Sequence, residues 1–148
     1  MSAPLHATVV ARPYADGWRG VMLMGPSGAG KSDLALRLIQ AGFRLVADDY
    51  AHVWASGGGL YAAAPQTIAG RIEARGLGIL PAPARIVARI RLIAHLTSAA
   101  VERLPEPRFE AVDGVDVAVI DLDPRPASAV AVVAGALAGF DRGAVWPI

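Results

Sequence analysis

Eight consecutive residues, Gly25-Pro26-Ser27-Gly28-Ala29-Gly30-Lys31-Ser32, carry the spacing with which a backbone holds phosphate. Glycines at 25, 28 and 30 let the chain aim its N–H groups at one point, where phosphate oxygens accept hydrogen bonds. A helix beginning at Lys31 turns the positive end of its dipole toward the same point. The Lys31 amine is then placed to reach the β- and γ-phosphates of a nucleotide, and the Ser32 hydroxyl to ligate Mg²⁺. Lys31 is the only lysine in a chain that otherwise uses arginine for its basic residues. An ammonium is a compact, flexible point charge and a guanidinium is not, so its retention at this position favours the phosphate reading over a chance glycine turn. ATP with Mg²⁺ is the ligand implied.

Carboxylates are the next requirement of such chemistry. The apolar run Phe43-Arg44-Leu45-Val46-Ala47 ends in Asp48-Asp49, where an acidic group faces the metal or takes a proton from an attacking hydroxyl. Adjacent strand side chains point to opposite faces, so the two aspartates are expected to divide their tasks. A polar turn without chemistry is the plain alternative. His6 reads either as an ordinary strand residue or as a site residue. In the segment 71–80, Arg71, Glu73 and Arg75 crowd against Gly76 and Gly78. An exposed loop with solvated charges is the default there, and a carboxylate with two guanidiniums at a phosphate site is the alternative. His95 reads as packed or exposed.

The elements that must position these groups follow from periodicity. Leu5 to Ala11 is a first strand, joined through a turn at Pro13 and Asp16-Gly17 to a second, Arg19–Met24, which delivers the phosphate loop. A helix over Lys31 to Ala41 buries Leu34, Ala35, Leu38 and Ile39 and closes at Gly42. Residues 51–54 and 60–64 flank a glycine turn, 85–96 favours a strand, and Asp113-Gly114 joins 109–112 to 115–122 in a tight hairpin. Ser98–Pro107 is a polar loop carrying Glu102 and Arg103, and a last helix starts at Pro126 or Ala127 and runs to about Gly139. The tail 140–148 has no readable pattern.

The whole chain sets bounds. At 148 residues a single domain over 1–148 is expected, large enough to bury its own core. Net charge is +1, with 14 basic and 13 acidic residues interspersed, which makes no electrostatic case for nucleic acid. Cysteine is absent, no signal pattern opens the chain, and no apolar segment is long enough to span a bilayer, so a cytoplasmic protein without membrane contact is expected.

In three blocks, Gly25–Ser32, then Arg44-Leu45-Val46-Ala47-Asp48-Asp49, then Ile72-Glu73-Ala74-Arg75-Gly76-Leu77-Gly78-Ile79, the chain resembles the catalytic domain of bacterial HPr kinase/phosphorylase. The first block is common to many families and the third is the specific one. The resemblance implies an α/β fold with a mixed sheet and flanking helices, P-loop-containing and similar to phosphoenolpyruvate carboxykinases. It implies ATP-dependent phosphorylation of a serine on the carrier protein HPr, with possible reversal by inorganic phosphate, in regulation of the phosphotransferase system. It also implies a homo-oligomeric ring, of hexamer size, and a short form without the N-terminal domain of the family's long form.

By residue, the resemblance makes Asp49 the base and Asp48 a metal or orienting partner, with Ser32 and Glu73 holding Mg²⁺. Lys31 and Arg75 bear on the transferring phosphoryl group, Arg103 matches a later active-site arginine, and His6 a site histidine. Asp33 stands where the family usually has Glu, and the residues Pro13–Arg19 set His6 farther from the phosphate loop. The family's proline- and arginine-rich segment is only partly kept in Asp121-Leu122-Asp123-Pro124-Arg125-Pro126-Ala127, where Asp121 and Asp123 are expected to repel incoming phosphate. A kinase of a small hydroxyl-bearing metabolite and a non-catalytic ATP-sensing module remain the alternatives. Asp49 separates the last from the others, since a sensor needs no base.

Overall fold

The computed structural model describes residues 3–139. Among them, in chain order, are β1 (Leu5–Tyr14), β2 (Gly17–Met24), α1 (Lys31–Gln40), β3 (Arg44–Ala47), β4 (Tyr50–Ser56), β5 (Gly59–Ala63), β6 (Arg71–Ala74), β7 (Gly78–Pro81), β8 (Val87–Leu96), β9 (Arg108–Val112), β10 (Val115–Leu122) and α2 (Ala129–Ala138). The fold is mixed α/β and mostly sheet, and no described helix is long and apolar enough to cross a membrane.

The apolar strand β8 is the spine. It runs parallel to β2 along one edge and parallel to β10 along the other, and its first residues pair antiparallel with β5. The hairpins β1–β2, β4–β5 and β9–β10 add antiparallel neighbours. Because β1 also pairs with β4, the pairings β2, β1, β4, β5, β8 and back to β2 close on themselves. One core, with Val9, Met22, Leu60, Ala62 and Ile93, fills this ring of strands. The other lies under the two helices, where Leu34 and Leu38 of α1 and Val133 and Leu137 of α2 pack on Val10, Leu23 and Leu92. Both helices therefore cover the same face of the sheet.

Buried Arg19 joins the layers. Its guanidinium donates to the Leu137 carbonyl at 2.6 Å, near the end of α2, and lies 4.3 Å from the centre of the Tyr14 ring. At Gly20 an added Cβ would meet the Arg89 carbonyl at 3.0 Å, so glycine is what lets β2 and β8 approach there.

Several expectations from the sequence are altered. The first strand runs on to Tyr14, which pairs with Gly17, so the residues Pro13–Arg19 form the far end of a hairpin and leave Ala7 opposite Met24. The added length goes away from the phosphate loop and does not distance His6 from it. The segment 71–80 is not a loop: β6 and β7 form a separate two-stranded antiparallel sheet, with Glu73 opposite Ile79 and Gly76 at φ 95° in the turn. Both glycines of the turn adopt positive φ, which is the local reason that charges can crowd there without breaking the hairpin. The last helix begins at Ala129, after Pro126 has accepted a turn bond from the Ala129 N–H. The expected tight turn at Asp113-Gly114 is present, both residues at positive φ. The tail 140–148 lies outside the described residues.

Candidate active site

Strand direction gathers the chemistry at one end of the sheet. β2, β3, β8 and β10 all finish there, at Met24, Ala47, Leu96 and Leu122, and antiparallel β1 starts there at Leu5. Carboxyl ends of neighbouring strands are where open α/β sheets bind ligands. A cleft of about 1930 Å³ opens over these ends, lined by all of Pro26–Ser32 together with Asp48, Asp49, Glu73 and Arg75. A smaller cavity of about 230 Å³, at Arg89 and Phe109, contains none of these residues.

In the phosphate loop, Gly25, Gly28 and Gly30 have φ values of 158°, 84° and 99°. Gly28 has nothing within 4 Å of an added Cβ, so its requirement is conformational, while Gly25 is also close-packed against Ala29. The Leu34 N–H bonds back to the Gly30 carbonyl, which starts α1 directly under the loop. Lys31 is only 5% exposed, and its amine donates to the carbonyls of Gly25 at 2.6 Å and Pro26 at 3.1 Å. Two of the three ammonium donors thereby fix the side chain against its own loop, and one remains.

The two aspartates have different surroundings, and for a different reason than strand alternation. They follow β3 in a bend, and Asp49 takes the left-handed φ of 68°, a conformation that Asp tolerates better than most residues. Asp48 is 8% exposed. Its Oδ1 accepts from the Ser32 hydroxyl at 2.6 Å and the Thr8 hydroxyl at 3.2 Å, and its Oδ2 from the Glu73 N–H at 3.0 Å. Among the described residues none forms an ion pair with it.

The Asp49 side chain is 53% exposed and meets His6 Nε2 at 2.7 Å through Oδ1. An ionised carboxylate only accepts, so with Asp49 charged the proton is on Nε2. The His6 ring stacks on Tyr50 with centroids 5.2 Å apart.

Glu73 and Arg75 come to the cleft on the β6–β7 hairpin, and Arg71 accompanies them. Arg103 is exposed in the loop between β8 and β9 and does not line the cleft, so within one chain it is not brought to the other site residues. Beside the phosphate loop stands Pro124, which sits 3.5 Å from a Cβ placed on Gly30 and whose carbonyl accepts from Arg37. Asp121 and Asp123 do not present free negative charge. Asp121 lies outside the cleft, bound at both oxygens by Arg108, whose hydrogen bonds hold its carboxyl below the usual range. Arg125 binds both oxygens of Asp123 and holds its carboxyl at about 2. His95 is part-exposed and bonded to Glu110, away from the chemistry.

Thr8 and Tyr50, which contact Asp48, Asp49 and His6, are what sequence reading missed, whereas Arg71 is there one of the two guanidiniums of the phosphate-site alternative. For Thr8 a signal existed, since strand alternation puts it on the face of His6.

The Asp48 carboxylate beside the Ser32 hydroxyl is a hard-oxygen pair of the kind Mg²⁺ takes, and Mg²⁺ keeps waters in place of further protein ligands. Among the described residues no group of three His, Cys, Asp or Glu could hold an ion, which such a sparse site does not require.

Residues 17–139 match the family model of the HPr Serine kinase C-terminal domain, a span that starts after β1. HPr kinase/phosphorylase of Leptothrix cholodnii is 38% identical over 112 residues, covering 66% of this chain and 34% of that protein. The Clostridium tetani protein of the same name is 45% identical over 64 residues, covering 43% of this chain and 21% of that protein. The chain thus spans about a fifth to a third of the length of these curated relatives. The solved structure of the Hpr(Ser) kinase/phosphatase from Coxiella burnetii superposes with a TM-score of 0.80 at 21% identity, over 96% of this chain and 98% of that one, which shows a shared fold. With the family model matching most of the described residues, the chain belongs to the HPr serine kinase C-terminal domain family.

Proposed function

We propose that the protein is an ATP- and Mg²⁺-dependent kinase that phosphorylates a serine of an HPr-type carrier protein. The reading is carried by the division at the acidic bend: one carboxylate buried beside Ser32, the next exposed and paired with a histidine. A nucleotide sensor needs the first and has no use for the second. The strand-loop-helix at Gly25–Ser32 on a mixed sheet supports the finer description as a P-loop fold of the phosphoenolpyruvate carboxykinase kind.

In this scheme the loop N–H groups and the start of α1 bind the phosphates, and Lys31 adds its charge from beneath. Ser32 and Asp48 would hold Mg²⁺, with Glu73, which also lines the cleft, as a further carboxylate ligand. The metal, when bound, neutralises phosphate charge. Asp49 takes the proton of the acceptor serine on Oδ2, the oxygen left without a partner among the described residues, while His6 fixes Oδ1. Arg75 offers a guanidinium to the transferring group. Catalysis rests on this positioning and on electrostatic stabilisation.

The acceptor is a protein rather than a metabolite because the rim is apolar and open: Leu77, 79% exposed, Ile79 and Tyr50 stand at the mouth of the cleft. Arg103, remote within one chain, acts on a neighbouring subunit of a ring-shaped homo-oligomer. Phosphorolysis is weak, with a revised cause: Arg125, the arginine kept within the altered segment, is held by Asp123 and does not offer itself to inorganic phosphate.

Incubation with labelled ATP, Mg²⁺ and purified HPr-type carriers tests the reading. Serine phosphorylation of a carrier is expected, lost in Asp49→Asn while ATP still binds. Tight ATP binding without transfer to any carrier would instead favour the sensor.

A further inference from the structure

Thr8 lies in the interior of β1, fully buried, and one side-chain oxygen there makes two unlike bonds. Its hydroxyl donates to Asp48 Oδ1 at 3.2 Å and accepts the backbone N–H of Asp49 at 3.0 Å. A hydroxyl has one donor and can accept as well, so both bonds form together. The same atom therefore fixes the carboxylate of one aspartate and the backbone of the next.

The position of Thr8 explains why such a fixture is needed. The acidic bend leaves β3 with Asp49 in the left-handed region, and the Asp49 N–H has no strand partner there. Without Thr8 that N–H has no acceptor among the described residues, and a side chain more than half exposed has, among them, only His6 to hold it. Thr8 is itself immobile. It pairs with Leu23 of β2, the residue before Met24 and the phosphate loop, and its neighbour Val9 pairs with Ala47 at the end of β3. His6 stands two residues earlier on the same face. The strand that bears Thr8 thus touches the phosphate loop on one edge and the acidic bend on the other.

We propose that Thr8 is a positioning residue, its hydroxyl setting the spacing between the metal-side carboxylate of Asp48 and the proton-accepting carboxylate of Asp49. This rests on the kinase reading above. Thr8 is buried and does not line the cleft, so it acts through the two aspartates.

Two substitutions separate the hydroxyl from the shape. Thr8→Val keeps a β-branched side chain of similar size in the strand and removes both bonds. Thr8→Ser keeps the hydroxyl and removes a buried methyl. At saturating Mg²⁺ and ATP, kcat of folded Thr8→Val should fall about 10–100-fold, the usual effect of losing a group that orients a ligand, with KM for ATP within about twofold of the parent. Thr8→Ser should recover most of the lost kcat even though it leaves a small cavity.

Amide hydrogen exchange supplies a readout free of activity. The Asp49 amide should exchange at least about tenfold faster in Thr8→Val and near the parent rate in Thr8→Ser, while Val10 and Leu23 stay protected in both. A kcat unchanged in Thr8→Val, or equally lowered in Thr8→Ser, overturns the proposal. If the parent phosphorylates no acceptor, the kinase reading fails on its own, and the Asp49 amide alone decides the positioning role: protection kept in Thr8→Val refutes it, and protection lost there but kept in Thr8→Ser sustains it.

Discussion

The two walls of the cleft are anchored differently. The phosphate loop leaves β2 between two strands and enters a helix whose Leu34, Ala35 and Leu38 are wholly buried in the main core. The opposite wall, the β6–β7 hairpin, is a sheet of its own that buries little more than Ile72 and Ala74. It is tied down by the Glu73 N–H to the Asp48 carboxylate, and beyond β7 by backbone bonds from the Leu45 N–H to the Pro83 carbonyl and the Arg85 N–H to the Leu45 carbonyl. On the proposed reading, phosphate tolerates little misplacement of its donors, and the phosphate-loop wall is the one built on core elements. On the same reading, a protein acceptor brings its own surface and would be met by peripheral apolar and cationic side chains.

The comparison is broken most severely at Lys31. Lys31→Met should abolish Mg²⁺-dependent ATP binding, and with it all transfer, while circular dichroism shows the fold intact. Undiminished nucleotide affinity in that variant would remove the phosphate wall from the scheme. Next is Asp49→Asn, expected to lower transfer by about 10²–10⁴-fold with ATP binding kept. Single-turnover kinetics separates the two, and a parent rate would pass the role of base to Asp48.

Stability sharpens the contrast. Leu34→Ala, behind the phosphate loop, should cost about 2–5 kcal/mol in urea unfolding, while Leu77→Ala on the hairpin should stay within about 0.5 kcal/mol. Equal costs would mean that the hairpin is as deeply anchored as the helix. Leu77→Asp should raise KM for the carrier protein roughly tenfold and leave KM for ATP unchanged, which distinguishes an acceptor wall from a second nucleotide wall.

The smallest effect concerns the far end of the cleft. Asp123 has a depressed carboxyl pKa, so its pair with Arg125 exists above that value and is lost only as pH falls through about 2, and it persists at every working pH. Asp123→Asn should free Arg125 toward the cleft and raise pyrophosphate release from phosphorylated carrier about two- to fivefold, the range an exposed ion pair controls. No change would show that Arg125 does not limit the reverse reaction.

Local chemistry by itself determined the phosphate loop, the helix that follows it, the Asp113-Gly114 hairpin and the acidic end of β3. Each depends on glycine conformations, apolar periodicity or turn residues within a few positions, and such short-range rules act wherever the chain is placed. What only the tertiary structure decided is which distant residues share a site. The hairpin at 71–80 escaped reading as strands because charged residues and glycines mask a four-residue alternation, and its pairing is held by backbone bonds that leave no side-chain pattern. Arg103 read as a site residue by likeness, yet it does not line the cleft of its own chain, although Thr97 and Ser98 at the start of its loop do. The charges of Asp121 and Asp123 read as repulsive until Arg108 and Arg125 were placed against them. Thr8 and Asp48 stand 40 positions apart, and their bond exists only because β1 is paired to both β2 and β3, a long-range arrangement that no local preference encodes.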